Sequence, residues 1–245
     1  MQTTPPIAEA RVQIEPGFAW DEQDAYLFDI DGTILRDPDR IHMNSFASSI
    51  ECVTGFAVTL DGIPVHGSTD TAILAEACRR AGIPAEVLEP QVEAILEAMR
   101  QTVSARRGEM RLRLMPGVEA ALGHLARKGA LLGVATGNLE TIGWIKIEEA
   151  GLREWFRFGG FSDRFPVRAE LVGHAALKAR EMAGAQARVC VVGDTPNDIA
   201  AAHANQLPVI AVATGNFSFD ALIEHKPELC ATSLAHLLAL QGRPQ

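Results

Sequence analysis

One stretch of the chain, residues 25–33, reads Ala25-Tyr26-Leu27-Phe28-Asp29-Ile30-Asp31-Gly32-Thr33. Its apolar start is typical of a short buried strand, and its acidic, glycine-containing end is typical of a loop. Three later apolar runs also end in small or polar residues: 131–135 before Thr136, 189–192 before Gly193-Asp194, and 209–213 before Thr214. Continuous hydrophobicity of this kind indicates parallel strands that are covered on both faces.

Helical patterns separate these apolar runs. They predict helices after Pro116, around 142–149, over 169–183 and over 197–204, with Gly129 and Gly151 closing the first two. An alternation of strands and helices is typical of an α/β protein with a parallel sheet. We therefore predict a Rossmann-like, doubly wound parallel sheet.

The stretch between Arg36 and Met115 interrupts this alternation. It contains no buried strand run but shows three helical apolar faces: Phe46, Ile50 and Val53; Ile73, Leu74, Ala77, Cys78 and Ala81; Val92, Ile95, Leu96, Met99 and Val103. We interpret it as an all-helical insert after the first core strand. The predicted division is an N-terminal extension over 1–23, a core over 24–37 and 114–245, and a helical domain over 38–113.

Composition excludes several classes of protein. The 245 residues are 47% hydrophobic and carry 22 basic and 31 acidic side chains, a net charge of −9. Nucleic-acid-binding surfaces are usually basic, so we do not expect this acidic chain to bind nucleic acid. No apolar run approaches the roughly 20 residues of a membrane span, so we do not expect a membrane partner either. The N-terminus lacks the basic start and apolar stretch of a secretory signal. The widely spaced cysteines predict buried thiols in a reducing cytoplasm: Cys52, Cys78, Cys190 and Cys230.

The predicted strand ends carry the residues with chemical potential. Ligands of open α/β sheets bind at the carboxyl ends of the strands, where this chain places Asp29, Asp31, Thr136 and Asp194. Carboxylates that converge at one edge repel each other unless a cation lies among them, and Mg²⁺ prefers oxygen ligands. The alternative is that each acid caps the helix that follows it, which stays open for Asp194 or Asp198 taken alone.

Three motifs in a fixed order carry a resemblance to a known family. FDIDGTIL (28–35), ATGN (135–138) and GDTPNDI (193–199) resemble the signature of the haloacid dehalogenase superfamily, and more narrowly its helical-cap, phosphoglycolate-phosphatase-like branch. The resemblance covers nearly everything after Ala25. It implies a Rossmann-like core, a mobile cap formed by the insert, and a Mg²⁺-dependent phosphatase or phosphotransferase acting on a small phosphorylated metabolite.

The resemblance also implies roles for individual residues. Asp29 matches the nucleophile and Asp31 the general acid/base, whose backbone carbonyl would also bind the metal. Thr136, with the backbone of Gly137 and Asn138, matches the group that holds the phosphoryl oxygens. The implied metal site consists of Asp29, Asp31, Asp194 and Asp198.

The third motif of the family, a basic residue before the last acidic strand, is not a lysine here. Arg168 begins a predicted helix at a suitable place, and a guanidinium can hold phosphate through two hydrogen bonds. Arg164 is the alternative, and a surface role for Arg168 also stays open. Lys146 and Lys178 lie well inside their helices, and we expect both to be too far from the strand ends.

Within the insert, the segment from His66 to Asp70 resembles the cap segment that covers the active site in the family. His66, Ser68, Thr69 and Asp70 are therefore candidates for substrate specificity. The alternative is a helix N-terminus that Ser68 or Thr69 caps and whose dipole favours Asp70, and both can hold together. We interpret His42 and His203 as ordinary helix residues.

The motifs favour a phosphatase that hydrolyses a small, phosphoglycolate-like phosphate monoester through an aspartyl-phosphate. A sugar phosphomutase shares the same core motifs and stays open, as does a non-catalytic phosphate-binding protein. A phosphonate-cleaving enzyme with a Schiff base is disfavoured, because no lysine occurs between residues 36 and 115. The sequence leaves open whether the protein is a monomer or a homodimer.

Overall fold

The strands and helices of the computed structural model, which describes residues 10–239, follow the predicted alternation. The strands are β1 Val12–Ile14, β2 Ala25–Phe28, β3 Leu35–Arg36, β4 Arg113–Leu114, β5 Leu131–Ala135, β6 Phe158–Gly160, β7 Val189–Gly193, β8 Val209–Val212 and β9 Leu229–Ala231. The helices are α1 Ile41–Thr54, α2 Asp70–Arg80, α3 Ala85–Leu88, α4 Val92–Ala105, α5 Val118–Arg127, α6 Glu140–Glu149, α7 Arg168–Ala183, α8 Pro196–Ala204, α9 Phe219–Ile223 and α10 Leu234–Leu238.

Seven strands form one sheet in the order β1-β9-β8-β7-β2-β5-β6. All its neighbouring strands pair in parallel except β1, which pairs with β9 in the antiparallel direction. Strand β2 lies near the middle, between β5 and β7, and its register aligns Phe28 with both Val134 and Val192. The strands that precede the three motifs are therefore direct neighbours.

Helices cover the sheet on both faces. Tyr26 and Phe28 pack in one buried cluster with residues of α5, whereas Leu27 packs in a second cluster with residues of α7 and α8. Every side chain of β2 is buried, which explains why its sequence is apolar without alternation. The predicted doubly wound α/β fold is confirmed.

Helices α1 to α4 occupy the chain between β3 and β4, as the prediction of an all-helical insert requires. Strands β3 and β4 pair as a short antiparallel ribbon at the point where the insert leaves and rejoins the core. Phe46, Met99 and other insert residues form a third cluster, which also includes Leu139 and residues of α6. The insert is thus packed against the core helix that follows ATGN. The exact limits of 38 and 113 stay predictions.

The structure differs from the predictions at several places. The extension predicted over 1–23 contributes Val12–Ile14 to the sheet as β1, while residues 1–9 lie outside the described part of the chain. Strands β6 and β9 were not predicted. Each has three residues, which is too short to give a recognisable pattern, and two of the three in β6 are glycines. Cys52 is exposed, so the prediction of four buried thiols is wrong for this residue. None of the helices within residues 10–239 has the length and apolarity that crossing a membrane requires.

Candidate active site

The three motifs meet at the carboxyl ends of β2, β5 and β7. Asp29 follows β2, Thr136 follows β5, and Asp194 follows β7. All three line one cavity of about 660 Å³, which is enclosed on its other side by insert residues. The predicted convergence of these side chains is therefore present in the fold.

Three buried acids form a tight group at this edge of the sheet. Carboxylate oxygens of Asp29, Asp194 and Asp198 lie within 4.8 Å of one another. Burial, followed by the negative charges of Asp29 and Asp198, raises the pKa of Asp194 to about 8. Burial also raises the pKa of Asp29 to about 6, with Arg168 opposing it and Asp198 and Asp31 adding to it. A positive charge among these oxygens would stabilise the ionised carboxylates of Asp29 and Asp194 and lower their pKa values.

The surroundings of Asp194 fit a bound divalent cation. Thr33 donates a hydrogen bond to Asp194 Oδ1 at 3.0 Å. The backbone at Gly32 and at Gly215 approaches the Asp194 carboxylate so closely that a Cβ atom at either position would collide with it. Carboxylate and backbone carbonyl oxygens, such as the carboxylate oxygens of Asp194, are the ligands that hard divalent cations prefer. Asp29 and Asp194, with the backbone carbonyl of Asp31, could hold such an ion.

Arg168 lies inside the acidic group. Its Nη2 atom is 2.9 Å from Asp29 Oδ1 and 2.6 Å from Asp198 Oδ1, and its side chain is 8% exposed. Arg164 is exposed and makes no ion pair within residues 10–239. Of the two candidates for the third-motif cation, the structure brings Arg168 to Asp29 and leaves Arg164 outside.

Asp198 has less freedom than its motif suggests. Its Oδ1 atom accepts hydrogen bonds from Arg168, while Oδ2 accepts them from the backbone nitrogen and hydroxyl of Thr195, at 3.0 and 2.7 Å. These contacts with Thr195 form the capping box of α8. The capping interpretation therefore holds for Asp198. Both carboxylate oxygens of Asp198 already accept hydrogen bonds, and its direct binding of a metal stays a prediction.

Lys146 corrects one of the expectations. Its side chain extends from α6 to the strand ends, where Nζ lies 2.6 and 2.8 Å from the two carboxylate oxygens of Asp31 and 2.8 Å from Asn138 Oδ1. The expectation that Lys146 is too far away was wrong, since it counted helical positions and ignored the reach of the side chain. Burial raises the pKa of Asp31, but Lys146, His42 and Asn138 outweigh it and hold the pKa below its ordinary value.

His42 is also more than an ordinary helix residue. It is buried on α1, with Nδ1 3.1 Å from Lys146 Nζ and Nε2 3.0 Å from Asp70 Oδ2. An ammonium group can only donate, so Nδ1 accepts from Lys146 and Nε2 donates to Asp70. The one sequence signal for this contact is a lysine between Ile145 and Ile147 on a helix, which indicates a buried partner but does not identify it.

The insert segment His66–Asp70 meets the core at the cavity. His66, Ser68 and Asp70 line the cavity, and the backbone nitrogen of Asp70 donates to Gly137 O at 2.7 Å. Thr69 instead caps α2 through a hydrogen bond from Ala72 N and donates to Pro166 O. The capping alternative therefore holds for Thr69, and Asp70 is held in place by its own contacts.

His66 and Ser68 keep more freedom than Thr69 and Asp70. His66 is exposed, with a ring nitrogen 2.8 Å from Asn216 Nδ2. Within residues 10–239, the Ser68 hydroxyl donates to Pro64 O and to no other group. In the neighbouring ATGN loop, Asn138 Nδ2 donates a hydrogen bond to Thr136 Oγ1 at 2.8 Å. A substrate in the cavity could contact both the insert segment and the ATGN loop, because residues of both line it.

Comparisons with known proteins agree with this site. A family model described as haloacid dehalogenase-like hydrolase matches residues 23–205. The phosphoglycolate phosphatase of Agrobacterium fabrum is 26% identical over 214 residues, with 86% of this chain and 89% of that protein covered. The phosphoglycolate phosphatase of Mesorhizobium japonicum is 25% identical over 229 residues, with 88% and 97% covered.

Solved structures share the fold. A predicted phosphoglycolate phosphatase from Haemophilus somnus 129pt superposes with a TM-score of 0.63 at 17% identity, covering 89% of this chain and 98% of that one. CbbY from Rhodobacter sphaeroides, in complex with phosphate, gives a TM-score of 0.58 at 20% identity, with 80% and 87% covered.

Proposed function

The chain belongs to the haloacid dehalogenase-like hydrolases, and from this membership we propose that it is a Mg²⁺-dependent phosphatase of small phosphate monoesters. The observation that carries the proposal is the contact of Arg168 with Asp29 beside Asp194. It combines a carboxylate nucleophile, a phosphate-binding cation and the oxygen ligands of a metal at the carboxyl ends of neighbouring strands. The related phosphoglycolate phosphatases support the same activity.

The proposed reaction has two displacements at phosphorus. A carboxylate oxygen of Asp29 attacks, the bond from phosphorus to the ester oxygen breaks, and Asp31 gives the leaving alkoxide a proton. Asp31 then takes a proton from water, which attacks the aspartyl-phosphate and frees both phosphate and Asp29. Arg168 and Thr136 hold the phosphoryl oxygens during both steps. Bound Mg²⁺ would supply positive charge that offsets the charge of the phosphoryl group.

Arginines in the outer part of the cavity favour a substrate with a second negative charge. Arg36 and Arg113 are directly opposite each other on the β3–β4 ribbon, and both line the cavity together with Arg40. Neither Arg40 nor Arg113 has an ion-pair partner within residues 10–239, whereas Asp31 is paired with Lys146. Asp37 lines the same part of the cavity and its carboxylate has no hydrogen-bond partner within residues 10–239, so its single negative charge offsets one of the three arginines. The carboxylate of phosphoglycolate fits the positive charge that remains.

A comparison of two small esters tests the proposal. The purified protein is assayed with phosphoglycolate and with ethyl phosphate, which lacks the carboxylate, in Mg²⁺ and after removal of metal. We expect phosphate release that requires Mg²⁺ and a higher kcat/KM for phosphoglycolate. Arg40→Ala should remove much of that preference and spare ethyl phosphate.

Other outcomes would identify the alternatives. Full activity after exhaustive removal of metal would contradict the Mg²⁺-dependent mechanism. Isomerisation of a sugar phosphate without net phosphate release would indicate a phosphomutase. Binding of phosphate esters without turnover would indicate a non-catalytic phosphate-binding protein.

A further inference from the structure

We infer that Lys146 is a positioning residue that fixes the carboxylate of Asp31 against the leaving group, and that His42 and Asp70 of the insert hold Lys146 in place. The inference rests on the proposed phosphatase function, because it assigns Asp31 to proton transfer. It concerns orientation: Lys146 itself does not touch the nucleophile Asp29.

The contacts of Lys146 explain why it can orient Asp31. Its side chain is 2% exposed, whereas that of Asp31 is 41% exposed and lines the cavity. Lys146 therefore holds the carboxylate from the protein side and leaves a face of Asp31 open to a substrate. Asn138 supports the same orientation by donating to Asp31 Oδ2 at 2.9 Å. The ammonium group has three hydrogens, and Asp31, Asn138 and His42 accept them.

Packing alone does not account for a lysine at this position. Helix α6 is otherwise apolar toward the interior, where Ile142, Ile145 and Ile147 are buried. Burying an ammonium group carries a desolvation cost that a methionine of similar length would avoid. A buried ion pair is weak support for stability, so its orienting effect on a reactive group is the better physical reason for it.

The insert completes the arrangement. His42 of α1 accepts from Lys146 and donates to Asp70 at the start of α2. Asp70 Oδ2 also accepts from Leu139 N at 2.8 Å, which ties it to the core loop after ATGN. Asp31, Lys146, His42 and Asp70 thus form a continuous hydrogen-bonded chain, which is buried from Lys146 onward and leads from the cavity wall into the insert. Lys146 keeps this orientation only while α1 and α2 are seated on the core.

The test uses leaving groups that differ in their need for a proton. An alkoxide needs a proton from Asp31 as it leaves, whereas p-nitrophenolate leaves without one. Lys146→Met should lower kcat/KM for phosphoglycolate by about 100-fold, near the lower end of general acid–base effects, and for p-nitrophenyl phosphate by less than about 10-fold. Asp31→Asn should show the same selectivity. Adding Lys146→Met to Asp31→Asn should leave the ratio of the two kcat/KM values unchanged.

Matched variants separate positioning from general damage. Lys178→Met removes a part-buried lysine of α7 that, within residues 10–239, donates a hydrogen bond to Gly159 O alone. It should leave the ratio of the kcat/KM values for the two esters as in the wild type. His42→Leu removes one of the three residues that accept hydrogen bonds from Lys146. It should lower kcat/KM less than Lys146→Met does, and again more for phosphoglycolate than for p-nitrophenyl phosphate. Circular dichroism and thermal melts confirm that each variant is folded.

Three results would overturn the inference. The first is a loss of kcat/KM in Lys146→Met that is equal for both esters, and the second is an unchanged kcat/KM for both. The third is a double variant in which the ratio of the two kcat/KM values differs from that of Asp31→Asn alone. If neither Lys146→Met nor His42→Leu folds, the network is structural and the inference also fails. The proposed function fails separately, when the wild-type protein hydrolyses neither ester.

Discussion

Asp29 and Asp31 are two residues apart but lie in opposite environments. Asp29 faces Arg168 and the other buried acids, and burial raises its pKa to about 6. Asp31 faces Lys146 and Asn138, which hold its pKa below the ordinary value. The chain achieves this by sending one side chain toward β7 and the other toward α6.

Arg168 should contribute more to activity than Arg164. Loss of its charge-assisted contact with phosphate should cost roughly 1.5–3 kcal/mol, or about 10- to 150-fold in kcat/KM. Arg168→Ala also leaves Asp29 and Asp198 without their cation. Arg164→Ala changes an exposed side chain and should stay near the wild-type rate. Steady-state assays measure kcat/KM for the two variants. A larger loss in Arg164→Ala than in Arg168→Ala would show that Arg168 is not the phosphate-binding cation.

At the scale of elements, the sequence predicts the site residues that follow long strands and misses those that depend on packing between elements. Asp29, Thr136 and Asp194 could be placed because β2, β5 and β7 are buried runs of four or five residues. Lys146 could not be placed, since two of its partners, His42 and Asp31, lie 104 and 115 positions away along the chain. His42 and Asp70 meet only after α1 and α2 fold together.

The acidic strand ends predict that Mg²⁺ weakens the pH dependence of the protein's stability. In the metal-free protein the pKa of Asp194 is raised from 3.8 to about 8. The folded state therefore binds more protons than the unfolded state between these values, and the contribution to stability is lost as the pH rises from about 4 to about 8. Mg²⁺ binds the ionised form and should offset this loss.

Thermal melts at about pH 5 and about pH 8 measure the effect. The increase in Tm on adding Mg²⁺ should be larger at pH 8, where few protons compete for the carboxylates. Asp194→Asn should largely abolish the increase. An increase in Tm that is equal at both pH values, or that persists in Asp194→Asn, would show that these acids do not hold the ion.

At the scale of the whole molecule, the insert and the core share an apolar cluster. Leu139, Ile142 and Ile145 belong to the core part of the chain but pack among insert residues such as Phe46. Each buried apolar side chain of this size contributes about 1.5–3 kcal/mol. The insert therefore supports the core as well as covering its cavity.

Replacing residues 38–113 with a short linker should consequently expose an apolar face of α6. We expect the shortened chain to aggregate or to melt well below the full-length protein, as followed by size-exclusion chromatography and thermal melts. Polar substitutions at Ile142 and Ile145 should restore solubility to the shortened chain. A soluble, monomeric core with an unchanged Tm would contradict this account of the interface.

The central claim, that Asp29 attacks phosphorus, is tested most directly by trapping the covalent intermediate. Protein mixed with excess phosphoglycolate and Mg²⁺ is quenched in acid within the turnover time, digested, and analysed by mass spectrometry. We expect one phosphoryl group, located on the carboxylate of Asp29, which disappears when metal is removed and is absent from a folded Asp29→Asn variant. Phosphate release without any phosphoenzyme, a phosphoryl group on another residue, or full turnover by Asp29→Asn would contradict the account.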